Sequence, residues 1–364
     1  KKPELARKRF EDVLAKTPNQ PQALLALAEL RAREGGKKEE VIELVNKAVT
    51  ANPTEKLPRL LLIDLHLRSK DTKLALAAAQ SAVAAIPDSP EILDALGRAQ
   101  MASGDTNQAL ITFNKVAALQ PSSSLPQMRL AEANMVAKDK GAAAQSLRRA
   151  LEIKPDHLEA QLGLIRLAID AKNYSDATTV ARSVQKQRPK EPAGYLFEGD
   201  VAAAQKKFDV AADAYRAGLK QGAFPDLAIK LHAVTKAGGK SAEAEKMAAS
   251  WLRDNPKDPA MRMYLAQEAI AVKDMAAAEK LYQSVVQLQP NNAIAYNNLA
   301  WVTGQLKKDG AIVYAEKALA LVPGQPAYMD TLAMLLLDKN DLAKALEWQI
   351  KAVGLQPDNS QFKL

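Results

Sequence analysis

Alanine- and leucine-rich runs of about 12–14 residues alternate along this chain with short polar breaks, a length and spacing that suit helices better than strands. Breaks such as Ser103-Gly104-Asp105, Lys138-Asp139-Lys140, Lys172-Asn173-Tyr174, Lys273-Asp274-Met275 and Lys339-Asn340-Asp341 are short and polar, as the turn of an antiparallel helix pair requires. Proline marks the alternate breaks. It stands at Pro18, Pro53, Pro87, Pro121, Pro155 and Pro189, then at Pro256, Pro290, Pro323 and Pro357, mostly 34 residues apart. Between Pro189 and Pro256 one mark is missing, and Ala223 occupies its place. Proline lacks an amide donor and clashes with the preceding turn, so it ends one helix and is at home at the start of the next. The Asp, Asn or Ser that often follows it, as in Pro87-Asp88 and Pro290-Asn291, is expected to cap the next helix.

A helix–turn–helix unit of this length resembles the tetratricopeptide repeat, whose pattern has Leu-Gly in the first helix, Ala-x3-Phe in the second and then Pro. Leu96-Gly97, Ala109, Phe113 and Pro121 follow it, as do Leu265-Ala266, Ala278, Tyr282 and Pro290. Gly97, Ala131, Gly199, Ala266, Ala300 and Ala333 fall where the two helices should cross. A bulky residue there, such as Gly97→Leu, should overpack the crossing. The expected fold is all-α: a tetratricopeptide solenoid, a right-handed superhelix of antiparallel helix pairs. Residues 1–19 read as the second helix of a preceding, truncated repeat, 20–357 as ten units and 358–364 as the start of another. Breaks are expected near Pro53, Pro87, Pro121, Pro155, Pro189, Ala223, Pro256, Pro290 and Pro323. The out-of-phase Pro225 predicts a shortened first helix in 224–256. The opening Lys1-Lys2-Pro3 reads as the start of an internal fragment, so that any export signal would lie outside it.

Composition narrows the function. The chain has no cysteine, which excludes disulfides and thiolate metal sites. Its net charge of +8 comes from 50 basic against 42 acidic residues spread along the whole sequence. That distribution argues against nucleic acid, which needs the bases clustered on one face. No apolar stretch is long enough to span a bilayer. His66, His157 and His232 fall in different units, without ligand spacing. Gly239-Lys240-Ser241 has the ending of a phosphate loop, but Val234 stands where the loop needs its first glycine. Neither a catalytic residue, a metal site nor a cofactor is expected.

In a solenoid the first helix of each pair lines the extended binding face. Positions 5 and 9 of each unit should point into it. The candidate groove residues are Glu29, Asp64, Asp94, Arg98, Glu132, Arg166 and Asp200, then Met263, Gln267, Asn297, Trp301, Asp330 and Met334. The first set predicts a charged groove in which acids outnumber bases, and the second a more apolar one. Trp301 is the expected anchor, since an aromatic held on a rigid helix suits a binding hot spot. Asn297 and the adjoining Asn298 could hydrogen-bond an extended peptide backbone.

Two stretches carry a narrower resemblance. One is Val184-Gln185-Lys186-Gln187-Arg188-Pro189-Lys190-Glu191, running into Glu198-Gly199-Asp200 and on to Lys206-Lys207-Phe208. The other is Asn297-Asn298-Leu299-Ala300-Trp301, with Met329-Asp330-Thr331-Leu332-Ala333-Met334 downstream. They resemble the repeat lipoproteins of bacterial PEP-CTERM/exosortase systems, encoded with exopolysaccharide loci. That resemblance implies a non-catalytic scaffold, periplasmic or outer-membrane-associated, with any membrane contact made through an anchor outside this sequence. Its partners would be protein or peptide segments of an export machinery, with exopolysaccharide as a further candidate. A direct glycan-binding solenoid and a cytoplasmic adaptor or co-chaperone stay open as alternatives.

Overall fold

The computed structural model describes residues 3–362, which contain helices and turns but no strand. Residues 1, 2, 363 and 364 of the two end segments lie outside the described residues. The chain divides into two compact units, residues 1–180 and 181–364.

The first unit opens with α1 (Pro3–Lys16), followed by the pairs α2 (Pro21–Arg33) and α3 (Lys38–Ala51), α4 (Lys56–Arg68) and α5 (Thr72–Ala85), α6 (Pro90–Ala102) and α7 (Thr106–Leu119), and α8 (Leu125–Val136) and α9 (Lys140–Ile153). It ends with α10 (Leu158–Asp170) and the start of α11 (Tyr174–Gln187). The second unit takes the rest of α11 and the pairs α12 (Ala193–Ala204) and α13 (Phe208–Leu219), α14 (Pro225–Ala237) and α15 (Ser241–Asp254), and α16 (Pro259–Ala271) and α17 (Met275–Leu288). The pairs α18 (Ala293–Gln305) with α19 (Ala311–Leu321) and α20 (Pro326–Asp338) with α21 (Leu342–Leu355) complete it, before a short 3-10 turn at Ser360–Phe362. Consecutive helices pack on one another from α1 to α10 and from α12 to α21, and first helices also touch directly, as α4 does α6, α14 does α16 and α18 does α20.

The core is built at the crossings. Most second helices bury a stripe at i, i+4 and i+7, such as Ala75, Ala79 and Ala82 or Ala278, Tyr282 and Val285, all fully buried. The middle residue of the stripe is matched in size by the first helix. A Cβ added at Gly97 would stand 2.3 Å from the Phe113 ring, and one at Gly199 would stand 2.1 Å from the Tyr215 ring. Ala266 shares a cluster with Tyr282, and Ala131 with Leu147. The α4/α5 crossing inverts the pairing, with Ile63 large on the first helix and Ala79 small on the second. Close packing favours this complementarity, with the large side chain contributed by either helix, although the α18/α19 crossing sets Ala300 against Ala315 and is small on both sides.

Two expectations need correction. The first helix of the region 224–256 is not shortened, because Pro225 is its first residue and α14 runs 13 residues. Proline is tolerated there, where the first-turn amide has no helical partner anyway. The caps of the first helices also fall one residue later than expected. Asp88 takes a left-handed turn conformation at φ 40° and Ser89 stands at the N-cap, while Asn292, not Asn291, accepts the Ala295 amide at 2.9 Å. Aspartate caps are frequent instead on the second helices, where Asp105, Asp139, Asp274 and Asp341 each accept an amide.

Two histidines are packed inside. His66 is buried on α4, and His232 on α14 pairs its Nδ1 with the Tyr264 hydroxyl of α16 at 2.8 Å. Burial pushes both imidazoles below the usual 6.5, more strongly than Asp71 or Glu268 draws them up. A base whose folded pKa is depressed takes up its proton more readily when unfolded. Stability from these groups is therefore complete above about pH 6.5 and is lost as pH falls below it. Urea midpoints measured from pH 8 to pH 5 should decline, and His232→Gln should flatten that decline.

Candidate functional site

Positions 5 and 9 of neighbouring first helices stand side by side, and in the first unit they join through ion pairs. Asp64 on α4 receives Arg68 at 2.7 Å and Arg98 of α6 at 3.7 Å. Arg98 also holds Asp94 at 3.1 Å, and the other oxygen of Asp94 takes Arg129 of α8 at 3.0 Å. Arg129 reaches Glu132 at 3.5 Å. The result is a ladder of alternating sign across three first helices. Arg68 and Arg129 were absent from the predicted set, and they correct the expectation of an acidic excess, since three guanidiniums here meet three carboxylates. Only their spacing on the helix surface, three or four residues from an acid, could have signalled them. A ladder neutralised within itself leaves little net field to attract a charged partner. Glu29 is exposed and paired with Arg33 one turn on. Arg166 is exposed, with no side-chain partner among the described residues.

The second unit distributes its predicted residues differently. Asp200 turns inward, accepting the Tyr215 hydroxyl at 2.7 Å and Lys230 of α14 at 2.9 Å. Burial first, and then this carboxylate, hold the Tyr215 phenol far above its usual range. Asp330 likewise serves its own helix pair, accepting Gln349 of α21 at 2.9 Å. Asn298 is half-buried and donates to the Tyr282 hydroxyl at 3.3 Å, so the expected pair of backbone-binding asparagines reduces to one. Asn297 is that one. Its Oδ1 is screened from solvent and accepts no hydrogen bond among the described residues. An oxygen so enclosed offers no surface to a partner, which leaves the amide nitrogen as the group this side chain can present.

What stays open on this face is apolar or neutral. Trp301 is 38% exposed and Met334 is 44% exposed, one at position 9 of α18 and the other at position 9 of the adjoining α20. Leu337 is 39% exposed one turn beyond Met334. Gln267 is exposed on α16, while Met263 is half-buried against the core around Tyr282. Met334 and Leu337 also line a hollow of about 250 Å³ with Leu342, Leu346 and Gln349 of α21. Thus a large indole and flexible thioether and leucine side chains lie exposed on neighbouring first helices. No group of three or more His, Asp or Glu placed to hold a metal occurs among the described residues. No described helix is long and apolar enough to cross a membrane.

Patterns of the Tetratricopeptide repeat match residues 135–197, residues 327–359, and, for one pattern spanning about half of the chain, residues 2–56, 95–157 and 236–302. The chain belongs to the tetratricopeptide repeat family. Among curated proteins, none matches it. Solved structures similar to this tetratricopeptide chain include the Naa15/Naa10 complex bound to HypK-THB, at 20% identity and TM-score 0.45. That match covers 98% of this chain and 61% of the other, so this chain spans less than two thirds of its relative. Yeast Tom70 is similar at 14% identity and TM-score 0.46, covering 92% of each chain. MamA is similar at 22% identity and TM-score 0.38, covering 44% of this chain and 94% of its own.

Proposed function

We propose that this tetratricopeptide protein is a non-catalytic scaffold that captures extended, apolar protein segments on the first-helix face of residues 181–364. The observation that carries this reading is the exposed line of Trp301, Met334 and Leu337 on neighbouring first helices. Tetratricopeptide repeats bind protein or peptide partners and are generally non-catalytic, which supports it. A bound segment would place an apolar side chain against Trp301 and a backbone carbonyl where the Asn297 amide nitrogen can donate to it. Rigid helices hold these groups before the partner arrives, so little ordering entropy is lost at that step. The charge ladder of the first unit is spent internally, which points recognition toward apolar and amide chemistry.

The narrower reading is an exported scaffold that organises an exopolysaccharide and PEP-CTERM protein-sorting assembly in the periplasm or at the outer membrane. It is supported by the resemblance of 184–208 and 297–334 to the repeat lipoproteins of those systems. Selection of a displayed peptide library on the immobilised chain tests the binding chemistry. Enrichment of extended peptides with spaced apolar residues, lost on a Trp301→Ala chain, supports the proposal. Equal enrichment on both chains, or selection of acidic peptides alone, overturns it. Capture from a cell-envelope extract then tests the assembly. Recovery of export or sorting components is expected, and recovery of cytoplasmic proteins alone would contradict that part.

A further inference from the structure

The turns inside the helix pairs of residues 181–364 all close in the same way. After α12, the Lys206 amide donates to the Ala203 carbonyl at 2.8 Å and the Lys207 amide to Ala202 at 3.0 Å. After α16, Lys273 donates to Ile270 at 2.9 Å and Asp274 to Ala269 at 2.8 Å; after α18, Lys307 donates to Gly304 at 2.8 Å and Lys308 to Thr303 at 3.1 Å. This closure satisfies the last carbonyls of a helix and needs one residue in the left-handed region, ordinarily glycine. Glycine fills that place after α14 and asparagine after α20, as Gly239 at φ 81° and Asn340 at φ 62°. The other three are lysines: Lys206 at φ 59°, Lys273 at φ 64° and Lys307 at φ 54°. The first unit shows the same substitution at Lys70, Lys138 and Lys172.

Lysine is a poor choice on backbone grounds. Its Cβ crowds the carbonyl in this region, and unlike asparagine it has no short polar group to bond locally. A recurrent outlier of this kind points from strain toward use. Its side chains are also idle inside the molecule. Three neighbouring lysines are engaged, Lys240 with Asp209, Lys308 with Glu279 and Lys339 with Asp309, while Lys207 beside Lys206 is as free as the left-handed three. Those pairs join consecutive helix pairs, which places the successive turns along one edge of the unit. Lys206, Lys273 and Lys307 are exposed and make no ion pair or side-chain hydrogen bond among the described residues. Asp274 and Asp341 on this edge are occupied as helix caps. Exposed valines stand beside the turns, with Val272 directly before Lys273 at 66% exposure and Val210 and Val313 near the starts of α13 and α19.

We propose that this turn edge contacts a membrane surface rich in anionic lipid. Ammonium groups on successive turn tips, with small apolar side chains between them, suit lipid headgroups bordering the acyl region. A single-stranded nucleic acid would call for exposed aromatic rings to stack its bases. Phe208 and Tyr314, aromatics beside these turns, are half-buried against the core. The contact is electrostatic, peripheral and weakened by salt.

The test exploits the backbone. Lys206→Gly, Lys273→Gly and Lys307→Gly, combined in the full chain, remove the charges while relieving the left-handed positions. The triple variant should therefore melt no lower than the parent. Binding is read by co-sedimentation with phosphatidylcholine vesicles, with or without about 30% phosphatidylserine, where each lysine lost near the surface should cost roughly fivefold. The parent should bind the phosphatidylserine vesicles alone, and the triple variant should lose about a hundredfold in affinity with its melting temperature kept. Absence of binding, equal binding to neutral vesicles, or undiminished binding by the variant overturns the proposal. So does binding to heparin or single-stranded DNA with none to vesicles, which would assign the edge to a soluble polyanion.

Discussion

Phe113→Ala is expected to lower the unfolding free energy by about 3–5 kcal/mol, the usual cost of emptying a phenylalanine site in a core. Phe113 is 1% exposed and fills the crossing against Gly97, so neither helix can collapse onto the vacancy without losing other contacts. The reciprocal change fails for the opposite reason. Gly97→Ile would drive a branched side chain into the Phe113 ring and should cost about 1–3 kcal/mol or more by overpacking. Together the two recreate the arrangement already present at Ile63 and Ala79. The double variant should therefore recover at least about 2 kcal/mol relative to the sum of the singles, a coupling expected only of residues in direct contact. Urea titration followed by circular dichroism checks all three. Strict additivity would show that crossing size is not what the helices match.

Trp301→Ala is expected to weaken capture of an apolar peptide by about thirtyfold or more, the effect of removing an aromatic hot spot. The indole is 38% exposed, so the folded chain should keep most of its stability. Fluorescence anisotropy with a peptide selected on the parent chain gives the affinity, and the melting temperature gives the control. Met334→Ala should cost less, because a flexible thioether loses more entropy when it is held. Weakening by Arg98→Ala as large as that by Trp301→Ala would move the site to the charge ladder.

The repeat was legible because proline, small crossing residues and polar turns each answer a backbone or packing requirement, and they recur at one spacing. The inverted crossing at Ile63 was less legible, since it swaps sizes while obeying the same volume rule. Pro225 misled because proline both ends and begins helices, and spacing alone does not say which. The candidate face was legible as a set of positions but not as a set of available groups. Asp200 and Asp330 occupy the expected positions, yet their carboxylates are taken by Tyr215 and Gln349 from their own second helices. Arg129 and Arg68 became visible only through their ion pairs. Trp301 and Met334 could be picked out because a large apolar residue at an outward position has no other polar duty to explain it.

The absence of cysteine permits a direct test of where a partner sits. Single cysteines replacing Gln267 or Met334 would report the first-helix face of residues 181–364. One replacing Val313, which is 64% exposed on α19, would report a second helix. Thiol-labelling rates measured with and without saturating selected peptide should fall at Gln267→Cys and Met334→Cys and stay unchanged at Val313→Cys. Protection at Val313→Cys with none at the other two would contradict recognition by the first helices.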